Sequence, residues 1–449
     1  MYDLQTVPTL PSQDEALSLI ESAIAQSEAE GVFVSLNASE SSLSRFSENQ
    51  IGQNISKNRF NITITSYFGK RRASASTTEF DADAIAQTIK RSEELASVAP
   101  EDPEWVPLLE PQTYEQRLPA FDEATALLSP LERGEMVKQV CFACRQASTE
   151  GSGTLSTSAS VQAIGNSLGL RAYNRETEAD FSVTARIENG SSWGSRTAFA
   201  IAHLPIEEIT EQVIKRAIAS RNPRAIEPGI YPVVFDAAAF SSILPWVIWN
   251  LDARAADEGR SFMSRMDENG HPAGNRVGES MFSPLVQVQR HPAHPLLRSG
   301  TFFDEGLSNH YLEIIKDGIP QTLSYSRYWA QEQGKQPTGS MSPIVMAGSE
   351  QCLSDLIAQT ERGILVNRSW YVQYVNPRTL EVTGMTRDGT FWIEDGQIAY
   401  PIKNLRFNQC LPDMLRDVEA ISSVQRFDNT VVPGVKIKAF NFSSVTDSI

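Results

Sequence analysis

The sequence predicts an α+β protein in two parts: a mixed N-terminal region over residues 1–225 and a β-rich C-terminal domain over 226–449. Two observations predict it. In the first part, apolar spacing passes from helical to alternating and back to helical, twice in the same order. Beyond Gly229 only short apolar runs remain, broken by Gly and Pro, apart from one helical stretch. The length of 449 residues allows two or three domains at ~150 residues each.

The first round opens with a helix over 13–30, where Ala16, Leu17, Leu19, Ile20 and Ile24 fall at helical spacing and Gly31 ends it. From Val32 to Thr78 the period shortens to two, as in Asn61, Ile62, Thr63, Ile64 and Thr65, with a turn at Gly69. Asp81 and Asp83 offer N-caps to a helix carrying Ile85, Ile89 and Leu95, closed before Pro100. Five prolines over 100–120 predict an extended connector.

The second round predicts a helix over 129–149, strands over 155–202 with turns at Gly165, Gly169 and Gly190, and a helix over 206–220. Both closing helices carry Ile-Lys-Arg, at Ile89 to Arg91 and Ile214 to Arg216. A duplicated unit over 13–99 and 129–222 is therefore expected. Pro223 and Pro228 bracket the boundary. A short strand over 231–235 and a single helix containing residues 248–261 then open the second domain.

Thirty-nine basic against fifty-five acidic side chains give a net charge of −16, which disfavours a large phosphate-binding footprint and favours peptide, small-molecule or protein partners. The N-terminus lacks the basic and apolar regions of a secretory signal, and no run approaches the ~18 apolar residues of a membrane span. Four cysteines are too few for a disulfide scaffold, so a reducing cytoplasm is expected.

Several chemistries are excluded by inspection. There is no Ser three residues before a Lys, no phosphate-binding P-loop and no dinucleotide fingerprint. Cys141 and Cys144 share one helical face with Met136, Val137 and Val140 and have no second pair, so they predict core thiols. His291 and His294 each precede proline and predict a loop. The run Lys70, Arg71, Arg72 predicts a solvated turn, and Trp246 and Trp249 predict core packing in preference to a ligand cleft.

Six passages carry a resemblance: F-S-E-N-Q-I-G-Q-N-I-S-K (46–57), F-G-K-R-R-A-S-A-S (68–76), D-E-G-R-S-F-M (257–263), F-F-D-E-G (302–306), I-I-K-D-G (314–318) and F-W-I-E-D-G-Q-I-A-Y-P-I-K (391–403). In this order they resemble the TldD/PmbA family, named for a modulator of DNA gyrase and regarded as metallopeptidases. The resemblance implies an α+β region before a β-rich domain. It also implies two branches that pair as a cytoplasmic heterodimer and trim peptides.

Only the TldD branch carries HExxxH on a helix, where two histidines and a later cysteine hold zinc and the glutamate is general base. Adjacent helical turns suit that chemistry, since the metal lowers the pKa of its water and the carboxylate takes the proton. Aligning Glu258-Gly259 with the glycine-ended helix of that branch places Asn250, Leu251 and Ala255 at the His, Glu and His positions. Leu and Ala can neither ligate nor accept a proton. No histidine lies between His203 and His271, no cysteine follows Arg426, and Cys410 stands in a different context.

The resemblance therefore implies a PmbA/TldE-like subunit without its own catalytic residues, metal or cofactor, with zinc expected in a partner subunit. That partner is a TldD-like homologue, or the chain pairs with itself. Asn250, Arg254, Arg260, Ser261, Asp304 and Glu305 are the candidates for a peptide cleft, with a turn before Gly306 the alternative for the last two. A stand-alone hydrolase with another site, and a regulatory homodimer of gyrase-modulator type, are the rival readings.

Overall fold

The computed structural model describes residues 10–446, so expectations for the first nine residues and the last three lie outside the described residues. In the N-terminal part, α1 (Gln13–Gln26), β1 (Gly31–Ser47), β2 (Gln50–Phe68), β3 (Arg71–Thr77) and α2 (Ala82–Val98) form the first round. After the short α3 (Glu123–Ala126), the second round comprises α4 (Pro130–Gln146), β4 (Glu150–Asn166), β5 (Arg171–Ile187), β6 (Gly190–Ala198) and α5 (Ile206–Ala219).

The six strands make one sheet in the order β3-β2-β1-β4-β5-β6, and the halves meet where β1 pairs antiparallel with β4. Each half thus runs helix, three strands, helix. The opening helices share a device as well. Ser12 caps α1 and Ser129 caps α4, each answered by a glutamate at the third position, Glu15 and Glu132. The Ser hydroxyl holds each of these carboxyls below the usual range.

All four long helices cover one face of the sheet. Ala16, Ile20 and Ala23 of α1 pack on Val34, Leu36, Ile62, Val161 and Ala163. Val137 and Val140 of α4 and Ile209 and Val213 of α5 pack on Phe46, Leu155, Phe181 and Val183. Leu155, Val161 and Ala163 lie at even separations on β4, so both clusters share its face. Each such buried Leu, Ile or Phe contributes roughly 1.5–3 kcal/mol relative to exposure. The alternate positions are polar: Ser156, Ser158, Ser160 and Gln162 on β4, and Glu176, Glu178 and Asp180 opposite them on β5.

Several expectations shift by a few residues for physical reasons. The first helix ends at Gln26 rather than residue 30, because Ser27 turns extended and its hydroxyl bonds Glu93 of α2 at 2.6 Å. Gly165 is no turn: it sits inside β4, where a Cβ would lie 2.6 Å from Cγ2 of Ile20, so it admits α1 close to the sheet. Gly190 begins β6 in the same way against α5, and the turn there is made by Glu188 at φ 51° and Asn189.

Cys141 and Cys144 are buried, and burial pushes both thiols up. Cys352 is exposed. A thiol reagent is therefore expected to label Cys352 within minutes and Cys141 and Cys144 only on unfolding. Rapid labelling of either α4 thiol in the native protein would contradict this packing.

The second part opens with β7 (Gly229–Phe235), followed by α6 (Ala237–Phe240), α7 (Leu244–Trp249) and α8 (Ala253–Asp257). β7 lies between the parallel strand Arg362–Val366 and the antiparallel strand Thr430–Val445 in a mixed sheet of 13 strands. Val233, Phe235, Phe240, Val247, Ile248, Phe407 and Phe440 are buried in its principal core.

The single helix expected through residues 248–261 is not present. α7 ends at Asn250, the backbone leaves helical geometry through Asp252, and α8 is only five residues long. The cause is a contact distant in sequence: Ser324 N donates to Leu251 O at 2.6 Å and Ala253 N to Ser324 O at 3.0 Å, which draws the chain out of the helix. Among the described residues, no helix is long and apolar enough to cross a membrane.

Candidate functional site

The polar face of the N-terminal sheet is the floor on which the second part docks. Gln162 Nε2 donates to Asp304 Oδ1 at 2.7 Å, Thr301 N and Oγ1 donate to Asn174 Oδ1, and Arg426 Nη2 meets Glu178 at 2.9 Å. The connector over 100–120 is extended as expected and ties the edge. Arg72 pairs with Asp102, Glu104 with Arg254, and Tyr114 Oη donates to Gly306 O at 2.7 Å.

Docking is incomplete, and three cavities remain along the floor. One of about 900 Å³ is lined by Phe33, Tyr67, Arg72, Gln162, Glu305 and Arg327. A second of about 560 Å³ is bounded by Glu176, Asp252, Asp304, Glu305, Asn309 and Tyr325. The third, about 820 Å³, holds Asp180, Trp193, Trp246, Trp249, Trp370 and Asp428. The first two share Gln162, Asp304, Glu305 and Arg327, and the second and third share Ser342 and Asn429, so they form one trough. Clefts of this size with a few convergent polar groups are where ligands bind.

The acidic run of β5 follows the trough. Burial raises the carboxyls of Glu176, Glu178 and Asp180, most directly by removing water from the charged form. The N–H of Gly300 partly offsets this at Glu176, Arg426 at Glu178 and the Thr197 hydroxyl at Asp180. A carboxyl raised on folding gives stability that is complete below its unfolded value and is lost as pH rises through its folded value. Glu176→Gln is therefore expected to raise the melting temperature at pH 8 and leave it unchanged near pH 4. An equal gain at both pH values would remove the electrostatic explanation.

The residues singled out from sequence are divided by the fold. Asp304 and Glu305 lie in the trough, where Asp304 accepts from Gln162 and Glu305 stands 3.8 Å from Arg327; they also precede Gly306 in a turn, at φ 93°. Arg254 stands at the edge of the first cavity, paired with Glu104 of its lining and with Glu258, and Arg260 pairs with Glu258. Ser261 is buried, donates to Asn250 O at 3.3 Å and accepts from Met263 N, so it shapes a turn. Trp249 corrects the expectation of core packing: it is 60% exposed, while Trp246 is partly buried.

Asn250, Leu251 and Ala255 do not fit a metal. The Asn250 amide donates to Trp246 O and Tyr374 Oη, both at 2.7 Å. Leu251 is wholly buried, and Ala255 lies in the first turn of α8 with its N–H on Asp252 Oδ1. The intervening break also removes the continuous helix on which two side chains four or five residues apart would converge. Among the described residues no group of three or more His, Cys, Asp or Glu is gathered to ligate an ion. Cys410 heads the helix Leu411–Arg416 with its thiol toward Thr379 O at 3.6 Å.

Sequence reasoning missed Glu176, Glu178 and Asp180, although alternating acids within a strand, E-T-E-A-D, mark one face of a sheet. It also missed Trp193, Trp370 and Tyr371, which carry no local signal.

Residues 121–221 match the model described as the PmbA/TldA metallopeptidase central domain, and residues 228–444 match that of the C-terminal domain. A protein of Escherichia coli O157:H7 named Metalloprotease PmbA is 25% identical, over 94% of this chain and 95% of its own. A putative modulator of DNA gyrase from Bacteroides thetaiotaomicron superposes with a TM-score of 0.84 at 20% identity, covering 96% of this chain and 99% of its own. TldE from Thermococcus kodakarensis superposes with a TM-score of 0.81 at 18% identity, covering 95% and 99%.

Proposed function

The chain belongs to the PmbA/TldD metallopeptidase family, and we propose that within it this protein is a PmbA/TldE-like subunit that holds peptide without cutting it. In this reading a zinc-bearing TldD-like homologue, bound as a heterodimer in the cytoplasm, performs the cleavage of small or unfolded peptides. The present chain contributes a wall of the binding space. One observation carries the reading: the positions aligned with the metal motif hold an engaged amide, a buried leucine and an alanine, while a large trough persists between the two parts. The likeness to TldE at the level of fold is consistent with it.

Co-purification with an HExxxH homologue tests the proposal, with bound zinc measured and peptide cleavage assayed for each chain alone and for the two together. The expected result is zinc on the homologue only and full activity only for the pair. Stoichiometric zinc on this chain alone, or cleavage by it alone, would overturn the assignment.

A further inference from the structure

Four of the seven tryptophans of the chain, Trp193, Trp246, Trp249 and Trp370, line one end of the trough. Two of these rings stay substantially open to solvent, Trp249 at 60% and Trp370 at 40%, and Tyr371 beside them is 64% exposed. Tyr371 also holds φ at 55°, a conformation that L side chains seldom adopt, so the backbone at the cavity rim is specifically shaped. Large rings left open around a concavity are a binding surface.

The charge of this cavity sets the chemistry of its occupant. Asp180 and Asp428 both line it, and neither makes an ion pair within the described residues. Asp180 accepts only from the Thr197 hydroxyl, at 3.1 Å, and Asp428 is anchored by backbone contacts to Thr197 and Arg426. Among the described residues the one cation on the lining is Arg368, and it is already neutralised by Asp388 at 2.5 Å.

Arg368 also shows what the rings can do. Its guanidinium lies 4.2 Å from the centre of the Trp193 ring and 4.3 Å from that of Trp370, a cation between two indoles. Trp246 and Trp249, 6.1 Å apart on the same cavity, have no such guest among the described residues. Indole faces beside two unpaired carboxylates complement a group with an apolar stem and a positive head.

From the aromatic wall and its unpaired acids we infer that this end of the trough is a subsite for a lysine or arginine side chain of an extended peptide. The inference rests on the peptide-holding reading above and adds the class of residue recognised. The stem lies along Trp249 and Trp246, and the charged head reaches Asp180 and Asp428.

The full-length chain is titrated with three fluorescent, end-blocked peptides, Gly-Gly-Arg-Gly-Gly and its citrulline and glutamate counterparts, followed by anisotropy. Citrulline keeps the shape of arginine and removes the charge. The arginine peptide is expected to bind about tenfold more tightly than the citrulline peptide, with the glutamate peptide weaker still. Asp180→Asn and Asp428→Asn, isosteric changes monitored by circular dichroism, are expected to abolish the preference while citrulline binding persists. Trp249→Ala is expected to weaken the arginine peptide most.

Equal binding of the arginine and citrulline peptides would overturn the cation subsite and leave the peptide-holding reading standing. Failure of all three peptides to bind, alone and in the presence of the zinc homologue, would overturn both. A Trp249→Ala protein that changes oligomeric state yet keeps the arginine preference would show that this wall serves contact between chains, again against the subsite.

Discussion

Leu251→Glu is expected to destabilise the C-terminal part by about 4 kcal/mol or more at pH 8, a large share of the ~5–15 kcal/mol typical of a folded domain. Leu251 has no solvent exposure and packs in the cluster that contains Val247, Ile248, Phe240 and Phe440. A carboxyl placed there must remain protonated or be buried as an ion. A shift of ~3–5 units at ~1.36 kcal/mol each, added to lost packing, sets the size of the loss. The sign follows: the raised folded pKa makes the loss smallest at low pH, so the deficit should shrink as pH falls toward 4 and leave the part due to lost packing. Leu251→Met, which nearly conserves volume, is expected to cost less than ~1.5 kcal/mol. Urea unfolding at the two pH values reads both. The result bears directly on function, because rebuilding the metal motif as Asn250→His, Leu251→Glu and Ala255→His would bury its glutamate in this core. Wild-type stability for Leu251→Glu at pH 8 would show that position 251 faces solvent, and the case against a metal site would fall with it.

What could be read from the sequence follows from how local each determinant is. The two rounds of helix, strands and helix were legible because Ser12, Ser129 and Asp81 cap their helices and Ile62 and Ile64 alternate with threonines, all within a few residues. The helix through residues 248–261 failed for the opposite reason. Its apolar spacing is adequate for a helix, but Ser324, more than seventy residues later, takes over the backbone at Leu251 and Ala253. Of the trough's lining, the sequence singles out Asp304 and Glu305 before Gly306, and Trp246 and Trp249 by their spacing. Arg254 meets the trough only through Glu104, which the connector supplies from 150 residues earlier. Trp249 reads as core because an aromatic residue at helical spacing usually packs, but α7 ends at this turn and the ring stays 60% exposed on the cavity that Trp370 and Tyr371 also line.

Arg426→Ala is the substitution expected to loosen the docking of the two parts. Arg426 is 7% exposed and joins three places at once: Nη2 to Glu178 on β5 at 2.9 Å, Nε to Asp428 O at 2.8 Å, and Nη1 to Leu296 O at 3.2 Å. Removing it leaves two carbonyls without a donor and Glu178 without its counter-charge, beside Glu176, Asp180 and Asp428. Breaking a fully buried pair costs ~3–5 kcal/mol, and because the Glu178 side chain is 45% exposed the lower end, about 3 kcal/mol, applies. With the guanidinium gone, the Glu178 carboxyl rises further above its usual range, so the loss is expected to be greater at pH 8 than at pH 4.5. Adding Glu178→Gln should recover part of the stability at pH 8 and little at pH 4.5, since only the ionised carboxylate is relieved. Denaturant melts of the single and double variants give the coupling, and limited proteolysis within 100–120 reports whether the connector has been released. A double variant as unstable as Arg426→Ala at pH 8 would place the whole effect in the lost carbonyl contacts, and the buried acids of β5 would then have no part in holding the trough together.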